Sequence, residues 1–203
     1  MINLKKNSKV LFQGDSVTDW YRDRTDEASL GKSYVKDVAK YLEQYNIVSI
    51  NKGIAGNKVN DLINRFDKDF LEVQPDYIFI LIGVNDTWHD YPNQKSTSVF
   101  QEELDYLLNK ITNQINVPII LLEPFIIGYN EEITCMKDDL YNKIEAIKKL
   151  SMKYNCYYMS FEEEFNKVVT KENYLEYTLE GIHLHPKGYE ILSNKIINNI
   201  NIM

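Results

Sequence analysis

The chain has only two cysteines among its 203 residues, Cys135 and Cys156. They stand far apart, with neither a CxxC pair nor Cys/His ligand spacing, which argues against a disulfide framework and against structural zinc. Both read as ordinary residues of a reducing compartment, and no metal or organic cofactor is expected. Basic residues are outnumbered, 23 Lys and Arg against 30 Asp and Glu for a net charge of −7. They are also scattered, so no basic face exists to neutralise phosphates and nucleic acid is not an expected partner. No apolar run reaches membrane length, and the opening MINLKKNSKV lacks the apolar core of a signal peptide. A membrane partner is therefore not expected, and a cytoplasmic location is. Internal repeats, low-complexity tracts and Pro/Gly/Ser linkers are missing too, and the length suits one sizeable domain over residues 1–203.

What the chain does have is alternation. Four apolar, β-prone segments, KVLFQ, NIVSI (46–50), DYIFILI (76–82) and VPIILLE (117–123), are followed by a weaker fifth, CYYMS (156–160). Between them lie stretches with apolar residues three and four apart: SYVKDVAKYLEQY, NDLINRFDKDFLEV, SVFQEELDYLLNKITNQ and DDLYNKIEAIKKLSMKY. A last such stretch, PKGYEILSNKIINNI, follows HLH. Continuous apolar strands alternating with helices imply a central parallel sheet of five strands covered on both faces, a three-layer α/β/α sandwich.

Open sheets of this class bind ligands beyond the carboxyl ends of their strands, so the residues just after each strand matter most. After the first strand comes Gly14-Asp15-Ser16; after the second, Asn51-Lys52-Gly53-Ile54-Ala55-Gly56-Asn57; after the third, Gly83-Val84-Asn85-Asp86; after the fourth, Glu123-Pro124-Phe125. The first three offer a hydroxyl, a flexible backbone with N–H groups, and a carboxamide. That is a nucleophile with two kinds of oxyanion donor. Taken alone, Asp15, Ser16 and Thr18 read more readily as a turn and helix cap.

A serine hydroxyl becomes a useful nucleophile when a histidine, oriented by a carboxylate, takes its proton. Of His89, His183 and His185, only His183 has a carboxylate three residues earlier, Glu180; the corresponding residue before His185 is Ile182. His183 is the candidate base and Glu180 its orienting acid, while His185 alternates with it on a short extended segment.

Together these blocks resemble the SGNH, or GDSL, hydrolase family of esterases and lipases. The block GDSxTD is met by Gly14 to Asp19, the glycine of the second block by Gly53 in NKGIAGN, GxND by Gly83 to Asp86, and DxxH by Glu180 to His183 with glutamate for aspartate. The blocks occur in order across residues 9–192. The resemblance implies a flavodoxin-like SGNH hydrolase fold and a serine esterase: Ser16 as nucleophile, His183 as general base, Glu180 as orienting acid, and an oxyanion hole from the Ser16 and Gly53 N–H groups and the Asn85 amide. The α/β-hydrolase elbow GxSxG is not matched, because Thr18 replaces its second glycine.

The flanks FQGDSVTDWYRDR, NKGIAGNKVNDLINRF, ILIGVNDTWHD and LLEPF are similar to acetylxylan esterase-like carbohydrate esterases of that family. A small-molecule ester partner is expected, an acetylated sugar such as a xylo-oligosaccharide. Trp20, Trp88 and His89, with Asp15, are candidate substrate-binding residues, although Asp15 and Asp19 also read as braces of the loop. Tyr21 and Tyr91 join the aromatics near two strand ends, where each taken singly reads more readily as packing. Glu123 either faces the pocket or accepts hydrogen bonds at the Pro124 turn. The 86–98 loop is polar apart from its aromatics, which disfavours long acyl chains. A lysophospholipase, a thioesterase and a catalytically inactive carbohydrate-binding relative are the competing readings. The resemblance also implies homo-oligomers, for which the sequence shows no self-complementary patch.

Overall fold

The strands in chain order are β1 (Ile2–Leu4), β2 (Lys9–Gly14), β3 (Val48–Asn51), β4 (Tyr77–Leu81), β5 (Ile119–Leu122), β6 (Tyr157–Met159) and β7 (Ile200–Ile202). They come from a computed structural model that describes residues 1–89 and 91–203. Strands β2 to β6 are the five apolar segments read from the sequence. They form one all-parallel sheet in the order β3-β2-β4-β5-β6.

Nine α-helices connect them among the described residues: α1 (Ser16–Asp19), α2 (Tyr34–Glu43), α3 (Val59–Asn64), α4 (Val84–Trp88), α5 (Thr97–Gln114), α6 (Glu131–Thr134), α7 (Lys137–Lys153), α8 (Glu162–Val168) and α9 (Pro186–Asn198). Side chains on a strand alternate between faces, and the two cores follow that alternation. Val10, Phe12, Phe79, Leu81, Ile120 and Leu122 pack with α2, α8 and α9, whereas Leu11, Ile78, Ile80 and Leu121 pack with α3, α5 and α7. Both faces of the central strands β2, β4 and β5 are thus buried, which is why these read as unbroken apolar runs, whereas the edge strands β3 and β6 are partly exposed.

Two features depart from the sequence reading. The stretch read as one helix, NDLINRFDKDFLEV, is helix α3 followed by a π-helical turn over Asp67–Leu71. The pitch changes at Arg65, whose guanidinium leaves the helix to reach Asn57 Oδ1 at 2.9 Å, Lys52 O at 2.8 Å and Asp69 Oδ2 at 2.7 Å. Strands β1 and β7 have no counterpart among the apolar segments of the sequence. They pair in parallel, Ile2 with Ile200 and Leu4 with Ile202, and close the two ends of the chain against each other.

The order of strands puts the topological switch between β2, which pairs with β3 on one side, and β4, which begins the run toward β6. Ligands of doubly wound sheets sit outside the carboxyl ends of the strands at such a switch. Here those ends carry Ser16, just after β2, and Asn85, just after β4.

Candidate active site

Strand β2 delivers its last residue, Gly14, into a turn that starts α1. Asp15 caps that helix, its Oδ1 accepting the Val17 N–H at 3.0 Å, and Ser16 is the first helical residue. The cap explains why a buried strand ends in a polar triplet: the aspartate satisfies a helix donor while the serine side chain projects from the turn.

At the other end of the chain, residues 178–183 fold into a tight loop. Thr178 Oγ1 donates to His183 O at 2.7 Å and accepts the Gly181 N–H at 2.9 Å, while the Leu179 N–H reaches His183 O at 2.8 Å. Within this loop Glu180 Oε1 lies 2.6 Å from His183 Nδ1 and accepts the His183 backbone N–H at 3.0 Å. His183 Nε2 in turn lies 2.8 Å from Ser16 Oγ. With Nδ1–H donating to the carboxylate, Nε2 is left as the acceptor for the serine proton. Burial pushes the Glu180 carboxyl up, but hydrogen bonds from the ring and backbone of His183, with the charge of the imidazolium, outweigh it and hold the carboxyl below its usual range. His185 takes no part; it is the N-cap residue of α9.

The structure corrects the assignment of Gly53 to the oxyanion hole. Gly53 does not offer its N–H to a ligand: that group donates to Asn51 Oδ1 at 2.9 Å, and the Gly53 carbonyl accepts from Arg22 Nη2 at 3.0 Å. The residue is packed so closely that a Cβ would fall 2.6 Å from the Asp19 nitrogen. Its role is to let the second loop lie against α1. Gly56, three residues on, has the opposite surroundings. Its φ of +82° favours glycine, a Cβ there would meet only His89 Cε1 at 3.6 Å, and its N–H has no partner among the described residues. The Ser16 N–H is likewise without a partner among the described residues.

Asn85 on α4 is 1% exposed and donates one amide proton to Asn57 O at 3.0 Å, which places it beside Gly56 and leaves its second N–H. The loop is tied to the serine turn by Ile54 N–H to Gly14 O at 3.1 Å and Ala55 N–H to Asp19 Oδ2 at 2.8 Å. Asp19 also pairs with Arg24, so it braces the loop. One signal for the glycines was present in the sequence: in Asn51-Lys52-Gly53 an asparagine two residues upstream is the usual local acceptor for such an N–H.

Two buried carboxyls lie under the site. Asp15 is 1% exposed, too deep to touch a substrate, and burial raises it to about 7 against the opposing effects of the Val17 hydrogen bond and the His183 charge. Asp86, next to Asn85, is raised by burial to about 6 and faces Lys95 at 3.7 Å. The substrate-binding assignment of Asp15 is thereby replaced by that of a cap.

The aromatics divide. Trp20 and Trp88 are half-buried and both pack on the His183 ring, with centroids 5.5 and 5.7 Å away. His89 is exposed beside Gly56, and Tyr21 and Tyr91 are exposed as well. Asp90, in the 86–98 loop, lies outside the described residues. Glu123 turns away from Ser16; it accepts from Tyr158 and, at 2.8 Å, from Ser160 Oγ, and burial raises its carboxyl. It lines a separate cavity of about 320 Å³ with Phe125, Lys137, Tyr141 and Phe165, in which none of Ser16, Glu180 and His183 takes part.

Cys135 and Cys156 are both free thiols. Among the described residues no cluster of three or more His, Cys, Asp or Glu side chains could hold a metal ion, and no helix is long and apolar enough to cross a membrane.

The arrangement can carry out acyl transfer: a hydroxyl against a base, a base against a carboxylate, and N–H donors beside them. Known proteins show the same architecture. The acetylxylan esterase of Geobacillus stearothermophilus is 30% identical over 213 residues, covering 98% of this chain and 96% of that protein. Solved structures of Axe2, an acetyl-xylooligosaccharide esterase of that organism, superimpose with a TM-score of 0.86 at 27% identity over 96% of this chain and 94% of that one. Three of them carry single substitutions of a serine, a histidine or an aspartate and are described as catalytic mutants. A structure described as a GDSL-like lipase from Parabacteroides merdae ATCC 43184 matches with a TM-score of 0.89 at 31% identity, covering 97% of each chain. Residues 12–191, spanning the serine turn, both loops and the histidine, match the GDSL-like lipase/acylhydrolase family, and the chain belongs to that family as a carboxylic ester hydrolase.

Proposed function

We propose that the protein is a serine esterase that removes small acyl groups, acetyl above all, from carbohydrates such as acetylated xylo-oligosaccharides. The observation that carries the chemistry is the unbroken relay from Glu180 Oε1 through both nitrogens of His183 to Ser16 Oγ, with steps of 2.6 and 2.8 Å. Ser16 Oγ attacks the acyl carbon while His183 Nε2 takes the hydroxyl proton and passes it to the departing sugar oxygen. Water then attacks the acyl-serine, gives its proton to His183, and releases the acid as the proton returns to Ser16. The oxyanion is met by the Ser16 and Gly56 N–H groups and the second N–H of Asn85, donors fixed before the charge develops.

The substrate class rests on the acetylxylan esterase relative, which matches along nearly the whole chain, and on the exposed aromatic side chains near the site, whose faces suit sugar rings. The test is hydrolysis of acetyl, butyryl and octanoyl p-nitrophenyl esters, and of acetylated xylo-oligosaccharides, by the wild type and Ser16→Ala. Acetyl-preferring turnover that vanishes with the serine is the expected result. Octanoyl turnover equal to acetyl would sink the small-acyl reading. Sugar binding without acid release by a folded wild type would point instead to a binding protein.

A further inference from the structure

The chain has two tryptophans, and both pack against the same imidazole. Trp20 lies nearly parallel to the His183 ring, at 25° with centroids 5.5 Å apart, whereas Trp88 meets it at 61°. The Trp20 backbone is tied on both sides: its main-chain N–H donates to Ser16 O at 3.0 Å and its carbonyl accepts the Lys32 main-chain N–H at 2.7 Å. Its indole is flanked by Tyr21 at 82° and by Tyr189 of α9 at 46°. The helical turn that carries Ser16 therefore also carries the indole that faces the base.

Resting on the reading of His183 as general base, we propose that Trp20 is a positioning residue: its indole face fixes the imidazole plane between Glu180 and Ser16 and stabilises the imidazolium that forms as Ser16 attacks. An aromatic face attracts a cation far more than a neutral ring. The stabilisation is thus largest where His183 carries the serine proton, in the transition state, and so accelerates the reaction rather than tightening substrate binding. Two carboxyl groups also act on the ring: Glu180 from its own loop, and Asp15 from the β2–α1 turn. Replacing Trp20 leaves both in place. The role differs from that of a sugar platform, because part of the indole is already covered by the imidazole.

The experiment is an NMR titration of the His183 imidazole in the wild type, Trp20→Phe and Trp20→Leu, its resonance assigned with His183→Gln, beside kcat and KM for p-nitrophenyl acetate. Following the ring resonance itself separates His183 from Asp15, whose carboxyl burial raises to about 7. In Trp20→Leu the imidazole pKa should fall by about half to one pH unit, with kcat about 3- to 10-fold lower and KM unchanged. Trp20→Phe, which keeps a smaller aromatic face, should lie between. An unmoved His183 titration in folded Trp20→Leu overturns the proposal, as does a change confined to KM for sugar esters, the mark of a platform. If Trp20→Leu fails to fold, Trp20→Phe decides alone, and no shift in it has the same meaning. Ser16→Ala is measured alongside: full turnover there would remove the esterase reading itself, whereas its loss with an unmoved titration removes only the role of Trp20.

Discussion

Glu180 stands where the family's DxxH block has an aspartate, and its additional methylene is taken up within one turn of chain. The same carboxylate oxygen receives the ring and the backbone N–H of His183, so the longer side chain curls back on its own loop instead of extending from it. Glu180→Gln keeps the shape and removes the charge that favours the imidazolium. Its kcat should fall by about 10³ to 10⁴ with little change in KM, as loss of the orienting charge does in serine triads generally; steady-state kinetics on p-nitrophenyl acetate check this. Asp15 has the opposite electrostatic situation. Its folded carboxyl, at about 7, lies above the 3.8 of an exposed one. The folded state therefore holds a proton that the unfolded chain has released, and stability declines as pH rises from about 4 to about 7. Asp86, at about 6, adds in the same direction. Asp15→Asn can still cap Val17 without the cost of a buried charge, so its melting temperature should exceed that of the wild type at pH 8 and converge with it near pH 4. A thermal melt series across pH decides; a variant less stable at pH 8 would contradict the sign.

Elements of this chain were legible where burial was periodic and illegible where it was not. The central strands β2, β4 and β5 show as apolar runs because both faces are covered, the edge strands β3 and β6 show more weakly because they are partly exposed, and α2, α5, α7 and α9 show through their three-and-four spacing. Strands β1 and β7 span three residues each, too short for any period, and exist only because the two ends of the chain meet. The π turn after α3 follows from the reach of one arginine into a neighbouring loop. The loop that presents Glu180 and His183 depends on Thr178, which is fully buried and bridges His183 O and the Gly181 N–H. Thr178→Val preserves the volume but leaves the Gly181 N–H without its acceptor and removes one of the two donors to His183 O. It should cost about 1–3 kcal/mol in denaturant unfolding and lower kcat more than KM, because the loop would no longer hold the base at its distance from Ser16.

At the scale of the whole molecule, the crossover of strand order between β2 and β4 gathers the site from distant stretches of chain: Ser16, Asn85 and, from beyond the sheet, Glu180 and His183. The net charge of −7 acts over the same scale. Long-range repulsion should slow the encounter with an anionic substrate such as an acyl-CoA and leave a neutral acetylated sugar unaffected. Added salt should thus raise kcat/KM for acyl-CoA while that for neutral sugar esters stays flat; a strong salt dependence for the sugar esters would speak against the charge argument. The sequence by itself determined the layered α/β architecture, the ordered blocks around Ser16, Asn85 and His183, and the family resemblance, since all of these are carried by residue type and local spacing. It could not distinguish Gly53 from Gly56, nor show whether Asp15, Trp20 and Glu123 face a substrate. Those depend on which hydrogen bonds are already satisfied and which faces already covered, and both are set only when segments far apart in the chain pack together.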